Sequence, residues 1–343
     1  MRLLKSLVFL LTLSAAGAGI VAYRAYTMAR EPFRGYDEDE VFFTVERGKT
    51  GIQIGESLEE RGIIRDRRLF LLALRFRDDG KTVQAGEYRF AEPLSTFDVL
   101  EMLVSGGTFT FAVTIPEGLT LLETADLLAA RGLAEGSAIR SAFEARALVA
   151  DLDSEAFNLE GYLYPTTYRF PRVVAPDELA RTLVGQFKRV FDEERRAAAA
   201  KLGLTPREVV TLASVIEKET GLSEERPLIA SVFWNRLRIG MPLQSDPTII
   251  YALELAGRFD GNLRRSDLEL DSPYNTYRFP GLPPGPIASP GDASIRAVLE
   301  PAETAFLYFV SRNDGSHQFS STYSEHVNAV RKHQVEYFRR RRQ

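Results

Sequence analysis

Phe43-Thr44-Val45-Glu46-Arg47-Gly48 and, seventy residues on, Val113-Thr114-Ile115-Pro116-Glu117-Gly118 are two versions of one segment. Each is a short run of β-favouring residues closed by a glycine, the pattern of a strand entering a turn. The echo continues, with Leu58 matched by Leu128, Arg61-Gly62-Ile63 by Arg131-Gly132-Leu133, and Tyr88-Arg89-Phe90 by Tyr168-Arg169-Phe170. After the first strand, an amphipathic stretch runs through Ile52, Ile54 and Leu58 to Gly62, and a second covers Leu69 to Leu74 before the strand-like Ala85 to Phe90. The spacing predicts two strand–helix–strand modules in tandem. Chance likeness between two short amphipathic units is the alternative.

Working outward toward the amino terminus, residues 25–40 are polar and charged, with the acidic run Asp37 to Glu40, and read as a stalk. Before them, Ser6 through Tyr23 is uncharged, mostly apolar and just long enough to span a bilayer, and Arg2 and Lys5 precede it. Basic residues on that side favour an amino terminus inside and the rest of the chain outside. A cleavable signal peptide is the rival, since Ala15 to Gly19 offer small residues for cleavage. The expected organisation is an anchor over residues 1–24, a stalk over 25–40, a first module over 41–110 and a main domain over 111–343. The fold class is α+β: beyond Phe170 the texture turns to long helical patterns up to about Arg238, then to loops rich in Pro, Gly, Asn and Thr. A charged helix is expected from Tyr323 to Arg342.

Forty-three basic residues against 47 acidic ones leave a formal charge of −4, with no electrostatic footprint for nucleic acid. There is no cysteine, so disulfides and thiolate metal sites are excluded. His317, His326 and His333 have no metal-ligand spacing. His326 and His333, seven apart, are expected on one surface face of the last helix.

The chemistry concentrates on Thr205 to Gly221. A hydroxyl cap at Thr205, Pro206 at the first helical position and Glu208 three residues past the cap start a helix, and Gly221 is the expected stop. Leu212, Val215 and Ile216 form an apolar stripe that Glu219 continues, while Glu217 lies about 200° away around the helix. The stripe predicts that Glu219 is the more buried of the two. Desolvation and the negative end of the helix would then raise its pKa and suit it to general-acid work. An ordinary exposed Glu-Lys-Glu helix end is the bland alternative. A second helix is expected over Ser223 to Arg238, stopping at Gly240. It leads into Met241-Pro242-Leu243-Gln244-Ser245-Asp246-Pro247-Thr248, followed by Ser272-Pro273-Tyr274-Asn275-Thr276-Tyr277 and Gly281-Leu282-Pro283-Pro284-Gly285-Pro286-Ile287. Amides, hydroxyls and aromatics on proline-stiffened loops suit a polysaccharide cleft. Gln244, Asn275 and Tyr277 are the expected substrate contacts, with Asp246 orienting a neighbour and Glu217 as a further binding acid. Turn-forming or core roles are the alternatives for each.

Taken together, these segments resemble the endolytic murein transglycosylases, the MltG or YceG-like family. The resemblance rests on Leu212 to Thr220, Ser231 to Leu237, Leu243 to Thr248, Tyr274 to Tyr277 and Gly281 to Gly285, in that order, and spans almost the whole chain. It implies a LysM-like βααβ module after the anchor and a mixed α/β catalytic domain with a helical core and a loop-rich cleft. It places the catalytic acid on Glu219. It also implies a reaction using one carboxyl where ordinary glycosidases use two: Glu219 protonates the oxygen between N-acetylmuramic acid and N-acetylglucosamine, then takes the proton from the C6 hydroxyl as a 1,6-anhydro ring closes, with no cofactor or metal. Peptidoglycan strands as substrate, cell-wall synthases as partners, a single-pass inner-membrane location and a role in terminating nascent strands follow from the same resemblance. Thr166 stands where the family commonly has aspartate, leaving Glu160 as the acid of that segment and a possible cleft residue. A water-adding muramidase, a non-catalytic LysM-type scaffold and, more remotely, a pyridoxal-phosphate lyase on Lys218 are the competing readings.

Overall fold

The computed structural model describes residues 2–77, 80–337 and 339, residues 2–8 by their backbone only. The chain divides into two compact units, Met1–Phe111 and Ala112–Gln343.

The first unit opens with helix α1, Arg2–Arg30, which contains an apolar stretch, Phe9–Arg30, long enough to cross a membrane. Strand β1 (Val41–Val45), helices α2 (Gly51–Glu60) and α3 (Arg67–Arg75) and strand β2 (Gly86–Phe90) follow, and helix α4 (Thr96–Ser105) closes the unit. β1 and β2 pair antiparallel, with Phe43 opposite Tyr88. Phe43, Val45, Leu58, Phe70, Tyr88, Phe90 and Leu103 make the core between sheet and helices. Residues 25–40 are not the free stalk expected. The first six are the end of α1, and Phe33 then bridges to Leu94 while Gly35 N–H donates to Gly62 O at 2.8 Å. Gly62 has φ 66° and would drive a Cβ into the Gly35 backbone at 2.6 Å, so this close crossing requires glycine.

The second unit repeats the pattern: β3 (Phe111–Thr114), α5 (Leu121–Ala130), α6 (Gly136–Phe143), a 3₁₀ turn, Arg146–Val149, and β4 (Thr167–Phe170), which pairs with β3. The echo extends to fine detail. Thr50 with Gln53 and Thr120 with Glu123 form capping boxes at the starts of α2 and α5. Tyr88 and Tyr168 each send their hydroxyl to the carbonyl four residues back, at Gln84 and Tyr164. The repetition is therefore structural, because the same cap, glycine and tyrosine solve the same backbone problem twice.

Helices α7 (Pro176–Val190), α8 (Glu193–Lys201), α9 (Pro206–Glu219), α10 (Arg226–Arg238), α11 (Asp246–Leu255) and α12 (Asp292–Leu299) build the rest, with β5 (Tyr308–Ser311) and β6 (His317–Ser320) as an antiparallel hairpin and α13 (Tyr323–Val330) after it. The hairpin was not anticipated. α9 lies among α8, α10, α11 and α12. Every residue from Val209 to Ile216 is buried, so this helix has no dry stripe and wet face as the spacing suggested. Its end also differs: Thr220 turns extended (φ −144°, ψ 139°) and stops the helix, with no left-handed glycine cap at Gly221. The carboxy-terminal helix ends as α-helix at Val330 and continues with π-type turns over Arg331–Glu336. His326 and His333 are both partly buried and so do not form an exposed face, and Arg340 to Arg342 lie outside the described residues.

Candidate active site

Thr205 caps α9 and accepts from Glu208 N–H at 3.2 Å, while Glu208 returns a bond to Thr205 N–H at 2.8 Å. That start, and the apolar residues that bury the helix, aim its last turn at two different surroundings.

On one side stands Glu217. Its carboxylate accepts from Arg226 at 2.7 Å, Gly291 N–H at 3.0 Å and Ser294 Oγ at 2.7 Å. The Glu217 side chain is 5% exposed and that of Arg226 6%. Glu117, from the turn that echoes Glu46-Arg47-Gly48, approaches Arg226 at 3.6 Å, and Lys218 donates to Gly118 O at 3.1 Å. Burial and its neighbour Glu217 push the Glu117 carboxyl up, and Arg226 partly offsets this. A fully paired, buried carboxylate ties elements together. The expectation that Glu217 binds substrate is corrected: its lone pairs are spent on Arg226, Gly291 and Ser294.

On the other side stands Glu219, half-buried. As whole residues the two acids are both partly buried, so accessible area does not rank them. What separates them is compensation. Glu219 has no ion pair among the described residues, and its carboxyl accepts a hydrogen bond from Ser245 Oγ, at the start of α11. Desolvation raises its pKa from 4.5 to about 7; the Ser245 bond and Arg236 pull it down, and the charge of Asp246 adds to the rise. Such a carboxyl holds its proton near neutrality and loses it easily, as acid–base work requires.

Ser245 is fixed on every side. Its N–H donates to Thr276 Oγ1 at 3.0 Å, its carbonyl accepts from Thr248 Oγ1 at 2.7 Å, and Thr248 and Thr276 hydroxyls meet at 2.9 Å. Arg236, buried on α10, donates to Leu243 O at 2.5 Å and Leu307 O at 2.7 Å, so the loop before Ser245 and the strand β5 end hang on one guanidinium. Neither Ser245 nor Arg236 was singled out from the sequence, although both lie inside quoted segments. The available signal was a hydroxyl and a cation in the two segments flanking Gly240.

Of the other expected contacts, Gln244 is exposed beside Ser245 and has φ 50°, one of two non-glycine residues with positive φ among those described. Asp246 is exposed and accepts from the Tyr277 hydroxyl at 2.7 Å. Burial and that bond raise the Tyr277 pKa. Asn275 is fully buried. Its amide donates to Leu268 O and Leu270 O at 3.0 and 2.8 Å, and its oxygen accepts Tyr277 N–H at 3.0 Å. It holds the loop that presents Tyr277 and is not itself a contact. Glu160 is also buried, and both oxygens accept from Leu121 N–H at 3.0 Å while Tyr251 hydroxyl donates at 3.2 Å. Desolvation lifts it to about 7, and its carboxyl is engaged at the start of α5 and with Tyr251. Of the histidines, His317 Nδ1 meets Glu225 at 2.6 Å, and His326 stacks on Tyr308 with centroids 5.1 Å apart. A cavity of about 620 Å³ lies at the opposite end of α9, against Arg207, Thr211 and Trp234.

One desolvated carboxyl at a helix end, aligned by a serine from a facing loop and flanked by an acid–phenol pair, is the equipment of a general acid–base enzyme. The chain belongs to the YceG-like family, whose model matches residues 43–332. An endolytic murein transglycosylase of Bacillus subtilis (strain 168) is 30% identical over 328 residues, covering 88% of this chain and 87% of that protein. One from Streptococcus pneumoniae serotype 2 is 29% identical, covering 95% of this chain and 64% of that longer protein. A crystal structure of a yceG-like protein from Listeria monocytogenes superposes with a TM-score of 0.57 at 31% identity, covering 84% of this chain and 98% of that one.

Proposed function

We propose that this chain is a membrane-anchored lytic transglycosylase that cuts peptidoglycan glycan strands, with Glu219 as its sole acid and base. The observation that carries the assignment of Glu219 is the contrast within α9: Glu217 is neutralised by Arg226, whereas Glu219 is desolvated and titrates at about 7. Protonated Glu219 gives its proton to the glycosidic oxygen as the C1–O bond breaks. The carboxylate left behind takes the C6 hydroxyl proton while O6 bonds to C1, closing the 1,6-anhydro ring and restoring the acid. Ser245 occupies Oε1, which leaves Oε2 as the oxygen that carries the proton to substrate. Asp246, held by Tyr277, supplies negative charge for the oxocarbenium-like transition state, and Gln244 contacts the sugar.

The hydrolytic reading draws on the same Asp246, whose charge already acts on Glu219 and which could activate water. Mass spectrometry of digested sacculi decides between them. Anhydro ends from the intact chain, and none from Glu219→Gln, support the transglycosylase; reducing ends in their place overturn it.

The antiparallel β1–α2–α3–β2 arrangement supports a LysM-like module that grips glycan. Helix α1 supports a single-pass inner-membrane anchor with the catalytic unit outside, next to the synthases whose nascent strands it terminates.

A further inference from the structure

Helix α3 carries two apolar faces. Phe70, with Leu71 and Leu74, packs into the core of the first unit. Leu69, Leu72 and Phe76, at three- and four-residue spacing across the helix and its cap, face a cavity of about 560 Å³ instead. Leu72 is 48% and Phe76 72% exposed. A helix that only had to serve a soluble core would need one apolar stripe, and a second marks a contact with something else.

The opposite wall is α1, which offers Ala22, Ala25 and Ala29 at the same spacing. Small residues there keep a slot open where larger ones would fill it. Tyr26 and Phe97, with ring centroids 5.9 Å apart, join α1 to α4 beside it.

The position of the slot names its occupant. Ala22 to Ala29 form the last two turns of the apolar stretch Phe9–Arg30, which is 22 residues long. The uncharged run that fills this stretch ends at Tyr23 and Arg24 follows at once, so a hydrocarbon layer of about 30 Å, crossed by a helix in about 20 residues, ends close to Ala22. The slot therefore opens where lipid tails meet headgroups. Tyr23 and Tyr26, with the exposed Arg24 and Arg30 among and after them, are the aromatic and basic residues that suit a membrane interface, where long basic side chains reach toward lipid phosphates.

We infer that the slot between α1 and α3 takes an acyl chain of a phospholipid from the leaflet in which α1 ends, and so seats the first unit on the membrane surface. This rests on the reading of α1 as a membrane anchor.

The chain has no cysteine, which allows single-cysteine labelling of the full-length protein. Val21→Cys, Phe76→Cys and Val173→Cys, each carrying a fluorophore, are reconstituted in phosphatidylcholine–phosphatidylglycerol vesicles and quenched with doxyl-phosphatidylcholine. Quenching at Phe76→Cys at least half as strong as at Val21→Cys, with none at Val173→Cys, is expected, and adding Ala25→Leu to fill the slot should halve the Phe76→Cys signal while sparing Val21→Cys. If Val21→Cys is quenched and Phe76→Cys is not, the slot holds no lipid and the anchor stands. If neither is quenched, the anchor reading fails and this inference with it. Disulfide-linked pairs formed by unlabelled Phe76→Cys protein, with no lipid quenching of the labelled form, would show a second copy in the slot and overturn the lipid assignment.

Discussion

Replacing Glu219 by Gln removes a charge that folding strips of water, yet keeps the shape and the oxygen that Ser245 bonds. The folded carboxyl titrates at about 7 against an ordinary 4.5. At about 1.4 kcal/mol per unit that gap is on the order of 3 kcal/mol, and the residue's remaining exposure brings it to about 2 kcal/mol. Below 4.5 the group is protonated whether folded or unfolded. Between 4.5 and about 7 the unfolded chain releases the proton and the folded chain keeps it, so native stability falls as pH rises through that window and levels off above it. The Gln variant has no such decline. Glu160 titrates in both proteins and cancels from the comparison. Trp234, the only tryptophan, reports melting of the second unit. At about pH 8 the inactive variant should melt roughly 4–8 °C above the native chain, and at about pH 4, below both titrations, the two should nearly coincide. A variant that melts at or below the native chain at pH 8 would show that the Glu219 carboxyl is not desolvated and refute the general-acid assignment on its physical ground.

The neighbours of Glu219 should move its titration in opposite directions, read as the alkaline limb of the rate profile. Ser245→Ala removes the bond that favours the ionised form and should shift that limb upward, with a loss of rate of up to about a hundredfold from misalignment. Asp246→Asn removes the repelling charge and should shift the limb downward. Glu217→Gln leaves Arg226 buried without its partner and should cost about 3–5 kcal/mol in denaturant unfolding, a stability defect where Glu219→Gln shows a catalytic one. Asn275→Ala removes the donor to two partly buried carbonyls and should destabilise by about 1–2 kcal/mol; an unchanged stability with a raised KM would instead restore Asn275 as a direct contact.

Local patterns were legible where a residue's own chain neighbours decide the outcome. The cap at Thr205, the glycine after Arg61 and Arg131, and the paired tyrosines Tyr88 and Tyr168 are answers to backbone demands within a few residues, and each can be read in place. Glu219 was legible as a candidate for the same reason, being at a helix end near apolar residues. The ground for choosing it was not, because a helix buried on all sides has no phase to read.

What the chain by itself determined, then, is the tandem modules, the apolar leader and the helix that ends at Glu219, all set by short-range spacing and backbone chemistry. Only the tertiary structure decided which acid is spent and which is free, since Arg226, Gly291 and Ser294 reach Glu217, and Ser245 reaches Glu219, from segments 9 to 77 residues away. A carboxyl's role depends on which donors and charges arrive within about 3 Å of it, and those arrive by packing.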